Sequence, residues 1–103
     1  MDLNRQILEH LKKRGSDMTK PHAIEFYVYA PTEKKAEKLA KQIEKEGFYV
    51  QVLADPSARR WLCLPIKDLV PDLAIILPLQ KHFDELAKKQ DGHCDGWGTQ
   101  VEK

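Results

Sequence analysis

An α+β fold is predicted, with helix first and then β-α-β-β-α-β, on three observations. The hydrophobic period switches between 3.6 and 2 in that order along the chain. Breaks bearing Gly or Pro separate the periodic stretches. A length of 103 residues holds one such unit and no second core.

Leu3, Ile7, Leu8 and Leu11 form the stripe of a short amphipathic helix, closed by Arg14 and Gly15, so a helix is expected over 1–14. Gly15 to Pro21 has the composition of a connector. From His22 to Ala30, Ile24, Phe26 and Val28 alternate with Glu25, Tyr27 and Tyr29, the period of a strand that Pro31 ends. Thr32 is placed to cap a helix carrying Ala36, Leu39, Ala40 and Ile43, which runs to Gly47. Phe48, Val50 and Val52 then alternate with Tyr49, Gln51 and Leu53, and Ala54-Asp55-Pro56-Ser57 turns the chain into a second strand over Arg59 to Ile66. Pro65 predicts an irregular end to that strand.

Leu69, Leu73, Ile76, Leu77, Phe83, Leu86 and Ala87 follow helical spacing from about Pro71 to Gln90. Pro78 removes an amide inside this helix, so a kink or a break is expected there. Asp91-Gly92 stops it, and the tail from His93 to Val101 reads as the last strand. Strict alternation would place Cys94, Gly96 and Gly98 on one face, with Asp95, Trp97, Thr99 and Val101 on the other. The order matches the split βαβ, ferredoxin-like arrangement: an antiparallel sheet with two helices on one face, the body spanning 22–102 of a single domain over 1–103. Tyr27, Tyr29, Tyr49, Leu53 and Trp61 are expected on the other face, covered by the N-terminal helix or, in a homodimer, by a second subunit.

Composition limits the function classes. Lys and Arg number 17 against 16 Asp and Glu, a net charge of +1, which excludes the field of a dedicated basic nucleic-acid binder or an acidic mimic. Hydrophobic residues make up 42%, in the range of a globular domain. Two cysteines, Cys63 and Cys94, are too few for a disulfide framework, and no secretory leader pattern opens the chain, so a reducing, cytoplasmic setting is expected. The apolar run Leu73 to Leu79 falls far short of the ~20 residues of a membrane span.

Catalytic signals are weak. His10, His22, His82 and His93 fall on four different elements, and in His93-Cys94-Asp95 adjacent strand residues point to opposite faces, a poor geometry for a Cys/His pair. No C-x-x-C, H-E-x-x-H or H-x-x-x-H spacing offers a metal site, and no helix follows Gly96-Trp97-Gly98 to present its N-terminus to a phosphate. Neither an enzyme nor a cofactor is expected.

Two features point instead to binding. Lys34, Lys38, Lys41 and Lys45 make a basic stripe on the second helix, suited to RNA phosphates or an acidic peptide, or simply to solvent with Glu37 and Glu44 beside it. The segment Asp91-Gly92-His93-Cys94-Asp95-Gly96-Trp97-Gly98-Thr99 concentrates three glycines and a tryptophan on one strand. Glycines there let a backbone or a ring approach closely, either as a packing device or as part of a contact patch. The residues read as partner-binding are Asp95, Gly96, Trp97, Gly98 and Thr99, with Tyr27, Tyr29 and Trp61.

In Leu11 to Asp17 (L-K-K-R-G-S-D), the strand His22 to Tyr29, the Gly47-Phe48 junction and the closing Cys94-Asp95-Gly96-Trp97-Gly98-Thr99, the chain resembles a bacterial family. That family takes its name from the regulator of ribonuclease E activity B, a protein inhibitor of that endoribonuclease. The resemblance implies a ferredoxin-like α+β sandwich with an extra N-terminal helix. It also implies a non-catalytic protein that binds the scaffold region of ribonuclease E and so modulates RNA degradation. The +1 charge departs from the strongly acidic members that gave the family its name. The alternative, from the residues alone, is a single-stranded RNA-binding module using the lysine stripe.

Overall fold

Residues 3–15 and 17–99 are described by a computed structural model. The elements are α1 (Leu3–Lys13), β1 (His22–Ala30), α2 (Glu33–Glu44), β2 (Tyr49–Asp55), β3 (Arg60–Leu69), α3 (Leu73–Lys88) and β4 (His93–Gly98), with a single 3-10 turn at Pro56–Ala58. The strands form one antiparallel sheet in the order β2-β3-β1-β4, so β1 and β3 are central and β2 and β4 are edges. This is the ferredoxin-like order, with α2 packed on β2 and β3, and α3 on β4 and β1.

Local chemistry sets the boundaries. Thr32 caps α2, its Oγ1 accepting from the Lys35 amide at 3.2 Å. Asp72 caps α3 by accepting from the Ala74 amide at 2.9 Å, so the helix opens at Leu73, with Pro71 outside it. At the far end Asp91 takes the left-handed conformation (φ 60°), and the Gly92 amide reaches back to the Ala87 carbonyl at 2.8 Å in a Schellman closure.

The core lies between the sheet and the two helices. Ile24, Phe26, Val28 and Ala30 of β1 face Ala36, Leu39, Ala40 and Ile43 of α2 and Ile76, Phe83 and Ala87 of α3 in one buried cluster. Phe26, Phe48 and Phe83 meet edge to face, with ring centroids 5.0 to 6.4 Å apart, a geometry that adds about 0.5–1.5 kcal/mol per pair beyond area burial. Ile7 and Leu8 of α1 pack onto this cluster, and Leu8 and Lys12 line a groove with Val70 to Leu73, so α1 joins the β3–α3 connection. Tyr49 and Leu53 on the sheet's outer face stay open, 64% and 47% exposed.

Five expectations need correction. Of the kink or break expected at Pro78, the break does not occur: α3 is one continuous helix through it, and Ala74, whose carbonyl loses its partner, is exposed, where water can replace the bond. Pro65 lies inside β3, which continues to Leu69. Its missing amide falls between the paired Glu25–Ile66 and Val28–Cys63, and the β1–β3 register is the same on both sides of it. Trp61 pairs with Ala30 and packs on the core, so it belongs to the helix-facing side. β4 ends at Gly98, while Val101 and the end of the expected strand lie outside the described residues. Finally, the alternation in β4 breaks. Tyr27 pairs with Gly96 but Val28 with Cys94, so Asp95 is an extra residue, and the bulge puts both Cys94 and Trp97 on the core side.

Candidate functional site

The helix-free face of the sheet is built from the odd positions of β1 and β2 and the even positions of β3, as the register dictates. It carries two patches. At the β2 side, Tyr49 and Leu53 stand exposed beside half-buried Leu62 and Ile66, an apolar surface on which no helix packs closely enough to bury the two β2 side chains. Toward the other end, one polar cluster spans all four strands.

Arg60 is the centre of that cluster. The turn at Asp55-Pro56-Ser57 returns the chain so that Arg60 sits opposite Asp55, its Nε donating to the Asp55 carboxylate at 3.2 Å. The Asp55 carboxyl is held below its usual range by the Ser57 hydroxyl first and by Arg60 second. The guanidinium carbon lies 3.5 Å from the centroid of the Tyr29 ring, a cation–π stack. Its Nη1 approaches the Asp95 carboxylate at 3.8 Å, and Asp95 also meets His93 Nε2 at 2.8 Å. His93 packs against Tyr29 with centroids 5.6 Å apart. The bulge makes this possible, because the extra residue lets Asp95 lie near Arg60 while Trp97 turns inward.

The residues read as a contact patch divide accordingly. Tyr27, Tyr29 and Asp95 are on the outer side, and Tyr27 lies over Gly98, where a Cβ would come 2.5 Å from its hydroxyl. Burial first, and Glu25 second, push the Tyr27 phenol up. Gly96 holds φ +139°, which side chains rarely adopt, and so permits the bulge. Gly92 admits the β1 backbone, since a Cβ would stand 1.9 Å from the Tyr29 carbonyl oxygen. Thr99 donates to the Ala23 carbonyl at 2.8 Å and ties the end of β4 to the start of β1. Trp97 is 3% exposed and packs in the core, and Trp61 is half-buried against it. The closing motif therefore assembles the outer face more than it forms it.

Arg60, Asp55 and His93 are not singled out as contacts by the sequence pattern. The available signal is the pairing of Asp55 with a residue five positions on, across a Pro-Ser turn, together with the strand parity that puts both beside Tyr29.

Lys34, Lys38, Lys41 and Lys45 lie exposed along α2 and its C-cap, and none forms an ion pair among the described residues. Lys41 also borders a groove between α2 and the edge strand β2, lined with Glu37, Ala40, Glu44, Val50 and Val52.

Nucleophilic chemistry is not assembled at His93-Cys94-Asp95. The Cys94 thiol is on the core side, pushed up to about 11 by burial, while the imidazole is on the outer side. Burial pushes Cys63 up to about 12. Among the described residues no group of three or more His, Cys, Asp and Glu could hold a metal ion, and no helix is long and apolar enough to cross a membrane.

The family model of the regulator of ribonuclease activity B matches residues 1–99. A regulator of ribonuclease activity B from Pseudoalteromonas atlantica is 29% identical over 102 residues, covering 95% of this chain and 87% of the relative. Another of the same name from Actinobacillus succinogenes is 32% identical over 102 residues, covering 95% of this chain and 72% of the relative. With a match running through the closing motif that builds the sheet's outer face, this chain belongs to the regulator of ribonuclease activity B family.

Proposed function

We propose that this domain regulates RNA degradation in the cytoplasm by binding a ribonuclease, ribonuclease E, as a protein ligand and without catalysis of its own. The observation that carries the reading is the open outer sheet face. Tyr49 and Leu53 are exposed beside Leu62 and Ile66, next to the Arg60–Tyr29–Asp95 cluster, an apolar patch with a polar rim. Family membership supplies the ribonuclease. Tyr27, Tyr29 and Asp95 would contact the partner, with Gly96, Gly98, Thr99 and the buried Trp97 and Trp61 holding them in register. A patch of aromatic and aliphatic anchors with charges at its margin is the pattern of a protein contact.

The test is capture of the purified scaffold region of ribonuclease E by the tagged domain after nuclease digestion of all RNA. Capture should persist, and the double variant Tyr49→Ala, Leu53→Lys should abolish it while circular dichroism stays unchanged. Undiminished capture by that variant would remove the outer face from the reading. The second reading, single-stranded RNA held by Lys34, Lys38, Lys41 and Lys45, is favoured by the absence of carboxylate partners for these four among the described residues. It predicts capture that disappears with the RNA.

A further inference from the structure

We infer that the outer face of the sheet takes a basic protein segment, one that sets arginine or lysine against Glu25 and Asp68 and aliphatic side chains against Tyr49 and Leu53. The inference deepens, and rests on, the reading of that face as the partner surface. Strand register fixes which charges point outward: Glu25 of β1 opposite Ile66, Asp55 of β2 opposite Arg60, Asp68 of β3 opposite Ala23, and Asp95 at the β4 bulge. Arg60 is the one arginine or lysine that the four strands send to this side, with His93 beside it. Lys67 of β3 lies on the helix side over the Phe48 ring, Arg59 belongs to the turn before β3, and Lys20, ahead of β1, is 3.9 Å from Asp17. Four carboxylates against one guanidinium give the face a charge of −3 with His93 neutral, in a chain that carries +1 as a whole.

That charge is unevenly satisfied. Asp55 and Asp95 share Arg60, at 3.2 and 3.8 Å, and Asp95 also meets His93. Glu25 and Asp68, at the opposite end of the strands, form no ion pair among the described residues. Glu25 stands between Ile66 and Gly98 in the register, and the Tyr27 ring lies over Gly98. A guanidinium that pairs with Glu25 therefore has an aromatic ring within reach to stack on. An uncharged segment laid over Tyr49, Leu53 and Ile66 would strip water from Glu25 beside them without replacing it, a cost that a cation on the partner removes. RNA phosphates would meet the same four carboxylates, and a second copy of the chain would press two faces of like charge together, so neither fits as well as a basic segment.

The experiment is fluorescence anisotropy with a labelled nine-residue peptide of alternating leucine and arginine, titrated with the intact protein. Saturable binding is expected, weakened about tenfold by Glu25→Gln and Asp68→Asn together, with the circular dichroism melt unchanged. Glu37→Gln with Glu44→Gln makes the same change of net charge on α2 and should leave the affinity as it is. Absence of saturable binding, equal weakening by the two pairs, or equal binding of a leucine–glutamate peptide would overturn the proposal. So would a dimer in sedimentation that Leu53→Lys dissociates, because a second copy would then occupy the face. Capture of ribonuclease E that is lost in Tyr49→Ala, Leu53→Lys but kept in Glu25→Gln, Asp68→Asn would overturn the basic occupant and leave the outer face as the partner surface. Peptide binding that depends on Glu25 and Asp68, with no capture of ribonuclease E, would sink the ribonuclease reading and leave this site standing.

Discussion

β4 closes one side of the sheet with six residues that include a bulge at Asp95, two glycines and a helix packed along it. Its Cys94 amide donates to Asp84 of α3 at 2.9 Å, so that a main-chain donor of the edge is taken by a side chain. β2 closes the other side with seven residues, no bulge, and two large apolar side chains in solvent. A helix packs along each edge strand, so what sets them apart is that a bulge and an amide already bonded to Asp84 blunt the β4 edge, whereas β2 keeps a regular one. The residues most distinctive in the sequence lie at the protected edge, and the surface most open to a partner lies at the plain one. Density of unusual residues marks where the chain is hard to fold, and exposure marks where it can bind.

Trp97→Ala tests the structural side of this contrast most severely. Removing a 3% exposed indole from the core should cost about 3–5 kcal/mol in urea unfolding, enough to threaten a domain of this size. Retained stability together with lost partner binding would make Trp97 a surface anchor and erase the distinction between the edges. Gly92→Ala should follow, at about 3 kcal/mol, because the new methyl would meet the Tyr29 carbonyl and β4 would have to move away from β1.

A smaller effect belongs to Asp84. The Cys94 amide first, and Lys88 second, hold its carboxyl below the usual 3.8, so ionised Asp84 stabilises the fold above that pH and the contribution is lost as pH falls through the lower folded value. Asp84→Asn should therefore flatten the fall in melting temperature on the acid side of about pH 4, while leaving the neutral-pH dependence as it is. Smallest in stability is Leu53→Lys on the open edge, expected to shift unfolding by no more than about 0.5 kcal/mol while weakening ribonuclease capture. A large loss of stability there would mean that β2 contributes to the fold as much as β4 does.

Much of the architecture is legible in the residues. The period-2 stretch His22–Ala30 matches β1 at both ends, and Thr32 caps α2 as its position predicts. Three particular features were not legible. Pro78 interrupts no helix because the bond it removes faces water, and Pro65 is accommodated in a central strand, paired with Val50 of β2, with the β1–β3 register unchanged on either side of it. Neither fact is local. The third is the bulge at Asp95, which reverses the facing of Trp97: alternation counted along one strand assumes a regular partner, and only the pairing with β1 shows the extra residue.

The candidate site follows the same division. Tyr27, Tyr29, Tyr49 and Leu53 could be assigned to one face from parity alone, since the side-chain period of a strand is a property of the backbone. The lysines of α2 could be assigned to one face of a helix for the same reason. Arg60 stacking on Tyr29 while reaching Asp55 and Asp95 joins residues from four strands, and the groove joins α2 to an edge strand. Periodicity and capping are set by neighbours within a few positions, so the sequence alone determined the elements and their apolar faces. Which strand lies at an edge, which face stays open and which charges meet depend on long-range pairing and packing, and only the tertiary structure decided them.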